Sequence, residues 1–141
     1  MFMKNRVLPL IAFLALVQAM PVFAEEGAPD QAVRATLGAD GKQRLDILGG
    51  SYFFKPDHII VKVGVPVVFS IKREWGIVPH TFVLKVPEWK VAIDEDMSTD
   101  PKTVEFTPTT TGKFKFYCRN KFLFFKSHEE KGMKGVLEVV P

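Results

Sequence analysis

His80, Cys118, His128 and Met133 offer, in chain order, an imidazole, the only thiol, a second imidazole and a thioether. Soft sulfur combined with two imidazoles is the donor set that suits a copper ion passing between Cu(I) and Cu(II), with the thioether as a weak axial contact. Zinc accepts the thiolate and imidazoles, but a thioether is a poor zinc ligand. A thiol with no partner for an internal disulfide is a liability in an oxidising compartment unless it is buried, paired between chains or metal-bound. Each residue also has a plain structural reading: an edge or core histidine, an inert buried cysteine, a methionine filling a core.

The elements that must position these residues read as strands. Val67, Phe69 and Ile71 alternate with Val68, Ser70 and Lys72, as in a half-buried strand over 66–72. His80 opens a second strand and shares its face with Phe82, Leu84 and Val86. Cys118 ends a third, on the face of Phe114 and Phe116. Two strand ends that meet at one pole of a sandwich would bring imidazole and thiol together, and His128 and Met133 follow in the next loop.

Elsewhere, 35–37 and 44–48 flank an Asp40-Gly41 turn as a hairpin, with Gly49-Gly50 expected to break the second strand. Short strands follow at 51–54 and 58–63, then at 103–107 and 135–140. Residues 94–100 read as an acidic loop, whose Asp94, Glu95, Asp96 and Asp100 could steer a basic partner. Met97 in that loop is expected to be solvated, and His58 to sit at a surface or edge. In 120–132, Asn120 could cap a helical turn and Gly132 end it, although Phe122–Phe125 is apolar all round and shows no stripe. The expected fold is all-β, an antiparallel Greek-key sandwich with a short helical or irregular segment in the long loop before the last strand.

From Tyr52 to Val140 these pieces resemble the cupredoxins, the plastocyanin-like copper sandwiches. The resemblance rests on Phe54-Lys55-Pro56, Ile60-Val61-Lys62-Val63-Gly64, His80-Thr81-Phe82, the strand Gly112–Cys118, and His128 followed by Met133-Lys134-Gly135-Val136. It implies His80, Cys118 and His128 as equatorial ligands of one copper ion and Met133 as the axial one. One departure stands out. Nine residues separate Cys118 from His128, where the family usually has a few. The extra length adds little closure entropy, but it bears on the copper geometry.

The 141-residue chain opens with Lys4 and Arg6, an apolar stretch over 7–20 and Val22-Phe23-Ala24, the pattern of a removed export signal over 1–24. A flexible tail over 25–31 and a copper-binding domain over 32–141 are expected to follow. Location is then periplasmic or secreted, with no stable membrane span after cleavage. Without Lys4 and Arg6, the 19 basic residues fall almost level with the 16 acidic ones, and none cluster with aromatics along a groove, so nucleic acid is not an expected partner. With three histidines, a second copper site is hard to build, and no nucleophile–base order or phosphate-cradling glycine loop is present, so an enzyme is not expected. One-electron carriage between redox partners and copper delivery or tolerance are the two functions in view. In either, Phe122–Phe125 packs under the loop or lines a docking patch beside the metal.

Overall fold

The computed structural model describes residues 31–141. The expected signal over 1–24, and all of the expected tail except Gln31, lie outside the described residues. The strands are β1 (Val33–Arg34), β2 (Thr36–Leu37), β3 (Gln43–Gly50), β4 (Phe53–Lys55), β5 (His58–Lys62), β6 (Val67–Arg73), β7 (Thr81–Val86), β8 (Val91–Asp96), β9 (Lys102–Phe106), β10 (Gly112–Tyr117) and β11 (Lys134–Val140). They form two packed sheets, ordered β1-β5-β11-β10-β7-β8 and β2-β3-β6-β9, with β4 paired to β3. The chain changes sheet at Ala35, whose N–H donates to Ile60 O at 3.0 Å.

Both sheets are mixed rather than purely antiparallel: β1 and β11 run parallel to β5, and β3 runs parallel to β6. Alternation nonetheless sets the core. Val67, Phe69 and Ile71 are fully buried, as are Phe82, Leu84 and Phe116 from the opposite sheet. Phe54, Phe69, Phe82, Phe106 and Phe116 make a chain of tilted and edge-to-face contacts with ring centroids 5.3–6.2 Å apart. Each such ring contributes roughly 1.5–3 kcal/mol by burial alone. Core and sheets of the described residues close within 33–140.

Three expectations are corrected. Gly49 and Gly50 do not break β3 but lie inside it, paired with Phe54 and Phe53 of β4. Side chains crowd these positions: a Cβ on Gly49 would stand 3.0 Å from Met97 Sδ and 3.1 Å from Met133 Cε. Met97 is accordingly buried, not solvated. Asp94, Glu95 and Asp96 belong to edge strand β8, paired with β7, and not to a loop. Their charges are met locally, Asp94 by Arg119 (2.6 Å) and Lys85 (3.5 Å), Asp96 by Arg119 (3.7 Å) and Glu95 by Lys102 (4.0 Å), so they leave little free charge for steering. The 120–132 connection is irregular; the one helical element among the described residues is a 3-10 turn over Pro87–Trp89.

Candidate metal centre

Strands β7 and β10 are antiparallel neighbours, with Phe116 opposite Leu84 and Tyr117 opposite Val83. That register puts the start of β7 and the end of β10 at one pole. His80 enters from the residue before β7 and Cys118 from the residue after β10. The connection from β10 to β11 returns over the same pole and brings in His128.

The three donors converge. His80 Nδ1 and His128 Nδ1 are 3.2 Å apart, and Cys118 Sγ is 3.5 Å from His128 Nδ1. All three residues are buried, and one donor atom of each lies within 4.8 Å of the others. Two nitrogens about 2.0 Å from one ion at a tetrahedral angle stand about 3.3 Å apart, so the spacing of the two Nδ1 atoms fits a shared ion. Met133 is fully buried. Its N–H donates to His128 O at 2.9 Å, and its carbonyl accepts from Cys118 N–H at 3.0 Å.

Residues not read from the sequence as part of the site hold the donors in place. The Thr81 N–H points at Cys118 Sγ (3.3 Å), and the Thr81 hydroxyl donates to Asn120 Oδ1 (2.8 Å), which also accepts from the thiol (3.3 Å). A thiolate at this position would keep the Thr81 N–H as a donor. His128 sits in a one-turn frame: Ser127 N–H donates to Glu130 Oε2 (2.6 Å), and Glu130 N–H donates to Ser127 Oγ (3.2 Å). This is a reciprocal capping box, and its Ser-x-x-Glu spacing is a signal present in the sequence. Asn120 caps no helix here. His128 also packs edge-on against Tyr52, with ring centroids 5.0 Å apart. His58 lies elsewhere, bonded to Glu138 at 2.7 Å.

Burial first, and then the neighbouring His128 and Arg73, pushes His80 down from its ordinary value of 6.5 to about 4. His128 is lowered too, by burial and then by Lys131. Both imidazoles are therefore neutral at pH 7, the form a metal requires. Between pH 6.5 and 4 the unfolded chain binds a proton at position 80 that the folded chain refuses. Stability is thus complete above pH 6.5 and falls as pH drops toward 4. Metal-free protein is expected to lose on the order of 1–2 kcal/mol between pH 7 and 4.5, read from urea unfolding at the two pH values. Equal midpoints would remove this role from His80.

No protein-family model matches the chain, and no curated protein matches its sequence. Solved structures do match its shape. One is the metal binding domain of the Cu(I)-exporting P-type ATPase CopA of Streptococcus pneumoniae D39, with Cu(I): TM-score 0.59, 22% identity, 79% of this chain and 98% of that one. Another is a copper binding protein in its apo form: TM-score 0.54, 21% identity, 79% and 99%. A third is auracyanin A, a "blue" copper protein of Chloroflexus aurantiacus: TM-score 0.53, 18% identity, 71% and 100%. The fold is the cupredoxin fold. Identities this low speak for the fold alone; the buried donor group at the pole of this cupredoxin sandwich is a property of the chain itself.

Proposed function

We propose that the chain is an exported mononuclear copper protein that carries single electrons between partners outside the cytoplasm. The observation that supports it most is the convergence of His80 Nδ1, His128 Nδ1 and Cys118 Sγ in a buried group that neutral imidazoles and a hydrogen-bonded sulfur make ready for a soft metal. His80, Cys118 and His128 hold the ion in this reading, and Met133 provides the axial thioether. Copper bound there would supply one-electron Cu(I)/Cu(II) chemistry. The protein supplies a frame that changes little between the two states: two strand ends, the capping box and the Met133 backbone bonds. Export rests on the signal-like pattern of residues 1–24.

A groove of about 430 Å³ leads to His128 between Pro79, Phe125, Lys126 and Tyr52. It gives a redox or copper-handling partner a route to the ligand edge near Phe122–Phe125. The same groove favours a second reading, in which the copper itself is passed on, as does the likeness to the domain of a Cu(I)-exporting ATPase.

One titration separates the readings. Reduced protein is given Cu(II), and visible and electron-paramagnetic-resonance spectra are recorded. An intense charge-transfer band that bleaches with reductant and returns with oxidant supports electron carriage. Tight Cu(I) binding without a stable coloured Cu(II) form supports delivery, and no tight copper binding sinks both. In the loaded protein, Met133→Leu is expected to retain copper and shift its reduction potential, because an axial thioether tunes the ion more than it holds it. An unchanged voltammogram would remove Met133 from the ligand set.

A further inference from the structure

Two loops at the metal pole expose an apolar surface wider than the groove that leads to His128. Phe122, Leu123, Phe124 and Phe125 are 66%, 69%, 86% and 51% exposed, and Trp75 and Ile77 of the facing loop are 91% and 95% exposed. Among the described residues, seven of the ten large apolar side chains that stand exposed lie in these two loops. Of the two readings of Phe122–Phe125, packing under the loop is not the one observed: the rings stack on each other, Phe124 on Phe125 at 4.8 Å, and face outward. Concentration of this kind marks a surface that something else covers.

The backbone of the tip argues the same way. A turn closes Phe122 O on Phe125 N–H at 3.0 Å and places Leu123 at φ 47°. Glycine or asparagine takes that conformation with less strain. A leucine there is locally unfavourable yet remains 69% exposed, as at a position whose compensation comes from a surface outside the chain.

The chemistry of the tip selects the occupant. Lys121 and Lys126 bracket the four apolar residues, and among the described residues neither is in an ion pair. No hydrogen-bonding side chain lies between them. Protein interfaces are enriched in aromatics and arginine but depleted in lysine. An apolar tip flanked by lysines instead matches a headgroup boundary, where rings enter the acyl edge and ammonium groups reach back to phosphates. The nearby acids are occupied: Glu129 pairs with Lys115, and Glu130 is folded back on Ser127.

We propose that the 121–126 tip, with Trp75 and Ile77, seats this pole on an anionic lipid surface without spanning it. Combined with the metal reading, a partner that reaches His128 is then itself held at the bilayer. The lipid contact needs no metal and is tested without one, so its failure would leave the copper reading untouched.

Metal-free protein from Glu25 onward, which contains the whole sandwich core, is mixed with phosphatidylcholine vesicles with or without phosphatidylglycerol. Co-sedimentation is measured together with tryptophan emission. Trp89 is buried, so a blue shift on binding reports Trp75. Wild type is expected to bind the anionic vesicles with a blue shift. Phe122→Ser/Phe124→Ser is expected to weaken binding at least about tenfold, with an unchanged melting temperature because both rings are exposed. Lys121→Gln/Lys126→Gln is expected to lose about tenfold on anionic vesicles and little on neutral ones. No vesicle binding by wild type, or binding that both double variants retain, would overturn the proposal. So would a patch-dependent dimer that ignores vesicles, which would assign the surface to a second copy.

Discussion

Cys118→Ser is expected to abolish any thiolate-to-copper absorption and to weaken copper binding by more than about a hundredfold, while the sandwich stays folded. The thiolate is the soft, charged member of the donor set, and a serine hydroxyl offers neither property at neutral pH. The fold should tolerate the exchange because the new hydroxyl inherits two partners: Asn120 Oδ1 accepts from the thiol at 3.3 Å, and the Thr81 N–H points at the sulfur at 3.3 Å. A stability loss of about 1 kcal/mol is expected, in line with an imperfect but satisfied buried hydrogen bond. Absorption and isothermal titration with copper, beside thermal unfolding of the metal-free variant, separate the two effects. A variant that kept the intense band would place the metal elsewhere, and one that unfolded would make Cys118 a structural residue.

Gly135→Ala acts on the fold instead. Gly135 sits in β11 opposite Phe116 of β10. A Cβ on it would lie 2.2 Å from Phe116 Cζ and 2.4 Å from the carbonyl oxygen of Asp57. The ring has nowhere to turn, because it is packed against Phe54 and Phe82. The carbonyl is backbone, held by the Val136 N–H at 2.7 Å. A loss of about 3 kcal/mol or more is expected, lowering the melting temperature by roughly 10 °C or more. Phe116→Leu added to the variant should recover only part of this, since the clash with Asp57 remains. A melting point within about 2 °C of wild type would show that β11 can shift away from β5 and β10 more freely than its pairing suggests.

The converging donors were legible as candidates because two of them stand at strand ends. Period-two alternation through Phe82 and Leu84, and through Phe114 and Phe116, put His80 and Cys118 on inward faces before any pairing was known. What stayed hidden depends on partners far along the chain. Val91 and Ile93 alternate with Ala92 and Asp94, yet three successive acids read as loop. Their cations are Lys85 of β7, Arg119 just after β10 and Lys102 at the start of β9, and the first two become neighbours only once β7, β8 and β10 align. Gly49 and Gly50 read as a break because glycine usually marks one. Around them stands side-chain bulk from Met97, Met133 and Phe53, which no local window shows. Met97 was misread with them, as a solvated residue in an acidic setting. The path of 121–126 had no legible periodicity, since its apolar residues answer to no internal face.

The Cys118–His128 connection is closed at its base. Asn120 O accepts the His128 N–H at 2.8 Å, and the capping box then fixes the turn that carries the imidazole. Everything between Asn120 and Ser127 hangs outside that clasp. The separation of Cys118 and His128 in the sequence is thereby uncoupled from their separation in space. A tip held in this way can change length or chemistry without moving the clasp that sets the His128 imidazole.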